Sequence, residues 1–189
     1  MPQSDLTRRA VLAGCATLAM LPAGRLRAET PRMSEDGLYH QPWFLESFLD
    51  LRDDFRAARS AGKTFVLLWE LKNCPFCKLL HTQNFANAKI AAYAQENFTF
   101  LQLNFIGSRP VTDFDGQELS EKEMAQKYEI ERTPTIQFFH ESENPIAIET
   151  GRVQYMKPAE FLGMLRFIRE KAYEDGPFDD WLRANPQAI

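Results

Sequence analysis

Two cysteines separated by two residues, Cys74-Pro75-Phe76-Cys77, stand at the junction of two unlike patterns. Before them, Phe65 to Leu71 is a short run of bulky apolar residues bounded by Gly62-Lys63 and Asn73, which predicts a buried strand. After them, Lys78 to Asn97 has helical spacing with a break expected near Asn84–Asn87. A dithiol that follows a strand and opens a helix puts its first sulfur at the helix N-terminus. There, unpaired backbone N–H groups and the helix dipole favour negative charge. A thiolate is the attacking species in thiol–disulfide exchange, and a second cysteine one turn into the helix can resolve the mixed disulfide from within. Other uses of the pair fit less well. Covalent haem needs His after the second cysteine, and position 78 is Lys. Structural zinc needs four ligands, and the chain has no second cysteine pair or clustered His. A static disulfide across so short a loop adds little stability.

The start of the chain sets the redox compartment. Arg8-Arg9, the small apolar run from Ala10 to Leu21, Pro22 and then Leu26-Arg27-Ala28 follow the order of an export signal over residues 1–28. The run is too short for a transmembrane span of about 20 apolar residues. Thr7-Arg8-Arg9-Ala10-Val11-Leu12 resembles a twin-arginine signal, against the alternative of a Sec signal with an incidental arginine pair. Leu12-Ala13-Gly14-Cys15 also has the look of a lipobox, but only five residues separate Arg9 from Cys15, and the apolar run continues beyond it. Cleavage after Ala28 leaves Cys74 and Cys77 alone in an oxidising, periplasmic compartment, where a paired thiol is meaningful. The formal net charge of −4 offers no basic field for nucleic acid.

Residues 29–42 read as an extended leader. Phe44, Phe48, Leu51, Phe55 and Ala58 recur at spacings of three and four and predict a helix from Trp43 to Ala61, stopped by Gly62. Phe98 to Phe105 alternates as a second strand, and 107–116 reads as a loop. Ser120 with Glu123 forms a capping box for a helix to about Tyr128. Thr135 to His140 and Ile146 to Thr150 predict a hairpin. Pro158 opens a helix with Phe161, Leu165, Ile168 and Ala172 on one face, and 179–184 adds a turn. This order predicts one α/β sheet with helices on both faces.

Thr133-Pro134-Thr135 is the second constellation, with Pro134 at a strand start where the sheet tolerates it. A C-x-x-C after a strand, followed by Thr-Pro before a hairpin, resembles the thioredoxin superfamily. The resemblance implies a thioredoxin-like domain over residues 43–175 with an insertion (104–119) after the second core strand, and a C-terminal tail over 176–189. It implies that Pro134 is cis and faces the dithiol, that Thr133 offers backbone pairing to substrate, and that Gly151 lies beneath the site. Tyr39-His40-Gln41-Pro42-Trp43-Phe44, Gly62-Lys63, Cys74-Pro75-Phe76-Cys77-Lys78, Val111 to Gly116 and Lys157-Pro158 further resemble SoxW-type periplasmic thioredoxins linked to sulfur oxidation. That resemblance implies a monomeric reductase with no cofactor beyond a redox-active Cys74–Cys77 disulfide. Its electrons would come from a membrane donor of the CcdA or DsbD kind, and its clients would be oxidised periplasmic proteins, a cysteine-bearing sulfur carrier among them.

The departures from the pattern matter as much. The buried aspartate of thioredoxin lies six residues before the first cysteine, where this chain has Leu68. Glu70, two residues on, shares a strand face with that position: as a half-buried carboxylate of raised pKa it would accept the Cys77 proton, and the alternative is a strand-end Glu in solvent. Pro75-Phe76 replaces the Gly-Pro of thioredoxin and leaves the potential, and hence reductase against oxidase or isomerase, open. From another class stands a binding module whose dithiol holds Cu(I) or a haem-assembly client. Phe76 should be exposed enough to meet a client, while Trp43 and Trp69 read as packing. His81, one turn past Cys77, could touch the thiols but reads first as a surface helix residue, and Asp113, Asp115 and Glu118 lack the spacing of a calcium loop.

Overall fold

The computed structural model describes residues 31–144, 146 and 154–188. The expected export segment, Cys15, Gly151 and all but Ile146 of the strand expected over 146–150 lie outside these residues. In chain order come β1 (Arg32–Met33), β2 (Tyr39–His40), α1 (Leu51–Ser60), β3 (Thr64–Glu70), α2 (Pro75–Leu79), a π-helical turn (Leu80–Asn84), α3 (Ala88–Asn97) and β4 (Phe98–Asn104). Then follow β5 (Pro110–Thr112), β6 (Glu118–Ser120), α4 (Glu121–Lys127), β7 (Thr135–Phe139), α5 (Pro158–Arg169) and α6 (Phe178–Ala184).

β3 lies between β4, to which it runs parallel, and β7, to which it runs antiparallel. All its side chains are buried, as a strand covered on both faces requires. On one face Val66 and Leu68 pack with Phe100, Ile136 and Phe138 against α3 and α5. On the other, Phe65, Leu67 and Trp69 pack with Leu101 and Phe139 against α1 and α4. This is the mixed sheet with helices on both faces that the element order predicts. Ile146 N–H donates to Phe138 carbonyl oxygen at 2.8 Å, on the side where the hairpin partner of β7 was expected.

Three expectations are corrected. Residues 43–50 are not helical, because Leu49 has a left-handed φ of 64° and Asp50 caps α1 by accepting the Arg52 and Asp53 N–H groups. Phe44 is therefore in the core while Phe48 is fully exposed, although the spacing put them on one face. The end of α1 is as predicted. Gly62 has φ 70°, its N–H donates to Arg59 carbonyl oxygen, and Lys63 N–H donates to Ala58 carbonyl oxygen. The second correction is in the 107–116 loop, where β5 pairs antiparallel with β6. The insertion is tied to β4 by the buried Glu121 carboxylate, which accepts Asn104 N–H (2.8 Å) and the Arg109 guanidinium (2.5 Å).

β4 is buried at nearly every position rather than alternating, since the chain before α1 lies along its edge, where Leu45 N–H donates to Phe100 carbonyl oxygen at 2.8 Å. The capping box of Ser120 and Glu123 opens α4 as expected. Past residue 175 the chain folds back, and Phe178 and Trp181 of α6 pack edge-on against Phe167 of α5.

Candidate active site

β3 delivers the chain to the dithiol. Asn73 turns it with a φ of 61°, and Cys74 is the N-cap of α2. Pro75 follows at the first helical position, where its missing N–H costs nothing. Cys74 Sγ accepts the Cys77 backbone N–H at 3.2 Å, in the place where a helix favours anionic sulfur. Its thiol also donates to the Thr133 carbonyl oxygen at 3.4 Å. The Thr133–Pro134 bond is cis. Residues 74 and 133, 59 positions apart, thus meet.

The two sulfurs differ in access. Cys74 is half-buried, whereas Cys77 is 2% exposed. Burial pushes the Cys77 thiol well above the ordinary range, and the Glu70 charge pushes it further in the same direction. Glu70 is neither half-buried nor in solvent. It is 1% exposed at the end of β3, near enough for its charge to act on Cys77.

Glu70 is held from two sides. His81 Nε2 lies 2.9 Å from Glu70 Oε2, and Gln102 Nε2 donates to the same oxygen. Glu70 Oε1 has no hydrogen-bond partner among the described residues. His81 is 0% exposed, which corrects its reading as a surface residue. The π-helical turn carries it: Phe85 N–H reaches back five residues to Leu80 carbonyl oxygen (2.9 Å), and Leu80, His81 and Asn84 all face inward. The imidazole sits among the rings of Tyr39, Phe44 and Phe85.

No role was read from the sequence for Gln41 or Gln102. Gln41, from the leader, is fully buried and places Nε2 at 3.2 Å from His81 Nδ1. Gln102, on β4, also donates to Tyr39 carbonyl oxygen (2.6 Å) and faces His40 Nδ1 at 2.9 Å. One signal for His81 was available, since it lies four residues after Cys77 and hence on the same helix face.

The remaining candidates separate cleanly. Phe76 is 53% exposed beside the sulfurs, its ring 5.7 Å from that of Tyr155. Trp69 is buried and donates Nε1–H to Gln137 Oε1, while Trp43 packs on Phe44, Phe85 and Phe100. Asp113 accepts the Tyr128 hydroxyl at 2.7 Å and pairs with Lys127. Among the described residues, no group of three His, Cys, Asp or Glu is placed to hold a metal. A cleft of about 700 Å³ opens between the leader and the insertion, lined by Asp36, His40, Lys72 and Arg109 among others, and neither cysteine lines it.

Comparison with known proteins places this geometry. No curated protein matches the chain. Among solved structures, it is similar to a thioredoxin-fold protein from Helicobacter pylori, at 24% identity over 65% of this chain and 81% of that one, with a TM-score of 0.53. It is also similar to a thioredoxin from Thermus thermophilus, at 18% identity over 63% and 83% of the two chains, with a TM-score of 0.46. The fold is thioredoxin-like, and with a Cys74/Cys77 pair at a strand-to-helix junction it points to a thiol–disulfide oxidoreductase. A family model of the thioredoxin-like domain matches residues 51–169, a stretch that takes in the three-stranded sheet, the dithiol helix and the cis-proline. The chain belongs to the thioredoxin-like domain family.

Proposed function

We propose that this protein is an exported, SoxW-type thioredoxin that reduces disulfides of periplasmic proteins. The observation that carries the reading is the unequal pair of sulfurs, one accessible at a helix N-terminus and one buried beneath it. The Cys74 thiolate attacks one sulfur of a client disulfide. That S–S bond breaks, and the departing client thiolate takes a proton from water. Cys77 then loses its proton and attacks Cys74 Sγ. The Cys74–Cys77 disulfide forms, and the second client thiolate leaves and is protonated in turn. The client gains two electrons and the dithiol loses two.

Because burial and the Glu70 charge keep Cys77 protonated, its attack requires a base, and Glu70 is the carboxylate whose field reaches it. Phe76, Pro75, Thr133 and Pro134 form the rim that meets the client. Two electrons return from a membrane donor of the CcdA or DsbD type, so no cofactor beyond the cysteine pair takes part. Periplasmic location rests on the Arg8-Arg9 export pattern, and a cysteine-bearing sulfur carrier as client rests on the SoxW resemblance.

Insulin reduction with dithiothreitol as electron donor tests the activity, with a Cu(I) titration beside it. Turnover above the dithiothreitol background, abolished in Cys74→Ser, is the expected result. Stoichiometric Cu(I) binding without turnover would instead make the pair a binding site. A measured potential near −120 mV, roughly that of DsbA, would make the protein an oxidant rather than a reductase.

A further inference from the structure

The hydrogen bonds around His81 fix more than its position. Gln41 Nε2 lies 3.4 Å from the His81 carbonyl oxygen, which can only accept, so the amide presents its N–H groups to the histidine. The same nitrogen meets His81 Nδ1 at 3.2 Å, which makes Nδ1 an acceptor and leaves the ring proton on Nε2. That Nε2–H points at Glu70 Oε2, 2.9 Å away. Gln102 is oriented in the same manner, because Tyr39 carbonyl oxygen accepts from its Nε2, and it adds a second donor to Oε2. Both donors thus converge on one oxygen of a buried carboxylate, while Oε1 is left with no partner among the described residues. A carboxylate saturated on one oxygen and open on the other is oriented to take up a single proton at the open one.

We propose that His81 is a positioning residue for the resolving step: backed by Gln41, its Nε2–H holds Glu70 Oε2 and leaves Oε1 to receive the Cys77 proton. Gln41 belongs to the leader, so a segment outside the stretch matched by the family model completes the site. The inference rests on the oxidoreductase reading above and adds the arrangement of groups that makes Glu70 effective.

Mixing the reduced protein, in slight excess, with dithiobis(nitrobenzoate) separates the two steps. This aryl disulfide is the oxidant. Its first coloured thiolate leaves when Cys74 attacks, and its second leaves when Cys77, having passed its proton to Glu70, displaces it from Cys74. Stopped-flow absorbance reads both releases.

In Glu70→Gln and in His81→Phe the second release should slow roughly tenfold, the low end of general-base effects, with the first unchanged. His81→Gln keeps an N–H at the Nε2 position and should restore the second release to within about threefold of wild type. The double variant Glu70→Gln/His81→Phe, which buries no unpaired charge, should be no slower than Glu70→Gln alone. Gln41→Leu, which leaves both groups of the pair in place, should slow only the second release, and by less than His81→Phe. A wild-type second release in His81→Phe, equal slowing in His81→Gln, or additive slowing in the double variant would overturn the proposal. Absence of the first release in wild type would instead overturn the oxidoreductase reading itself.

Discussion

Cys77 keeps its proton first because burial strips its thiolate of water, and second because ionising it would place a negative charge beside that of Glu70. Folding therefore holds the thiol above its ordinary value of 9.0, while the unfolded chain ionises near that value. A pKa raised by folding contributes stability that is complete below the unfolded value and lost as pH climbs beyond it. The reduced protein should lose up to about 1.4 kcal/mol per pH unit from this one group above about pH 9. Thermal unfolding of reduced wild type and Cys77→Ala across that range should show a steeper alkaline decline in wild type, and parallel curves would contradict the assignment. Cys74 and Cys77 were legible because their chemistry is carried by residue type and spacing, whereas the place of Pro134 came from the resemblance to the thioredoxin superfamily. Glu70 was legible only as a face of a strand, since its burial depends on what the leader and β4 place over it.

Periodicity misleads in the stretch before α1. Phe44, Phe48 and Leu51 fit a helical face, yet Leu49 turns through the left-handed region and Asp50 caps the helix behind it. A local cap and a turn outweighed the hydrophobic pattern. Phe44 stacks on Phe100 with its ring edge-on to Trp43 and Phe85, while Phe48 touches no core cluster. Phe44→Ala should thus cost about 3–5 kcal/mol and Phe48→Ala no more than about 0.5 kcal/mol, measured by urea unfolding of each variant. Equal losses would restore the single helix from Trp43. The break expected near Asn84–Asn87 is present, with Asn87 capping α3 through the Lys89 and Ile90 N–H groups. What spacing did not reveal is the π-helical turn before it, because five residues are too few for its longer period to stand out from α-helical spacing.

At the scale of the molecule, the sheet and its helices do one thing for the chemistry: they bring four distant segments to the end of β3. The leader contributes Gln41, β4 contributes Gln102, α2 and the turn after it contribute both sulfurs and His81, and the loop before β7 contributes Thr133. The alternation of strand and helix patterns was enough to reveal the layered architecture, since burial on both faces of β3 dictates its composition. The network beneath the dithiol was not legible, because a buried glutamine is indistinguishable in sequence from an exposed one until its partners are placed. The chemistry proposed for the dithiol divides the work, with Cys74 attacking and Cys77 resolving. Mixing reduced Cys77→Ser with an oxidised protein such as insulin and weighing the products by intact-mass spectrometry, without reductant, tests that division directly. The expected product is a one-to-one adduct through Cys74, stable until dithiothreitol is added, with none formed by Cys74→Ser. No adduct in Cys77→Ser, or an adduct in Cys74→Ser, would contradict it.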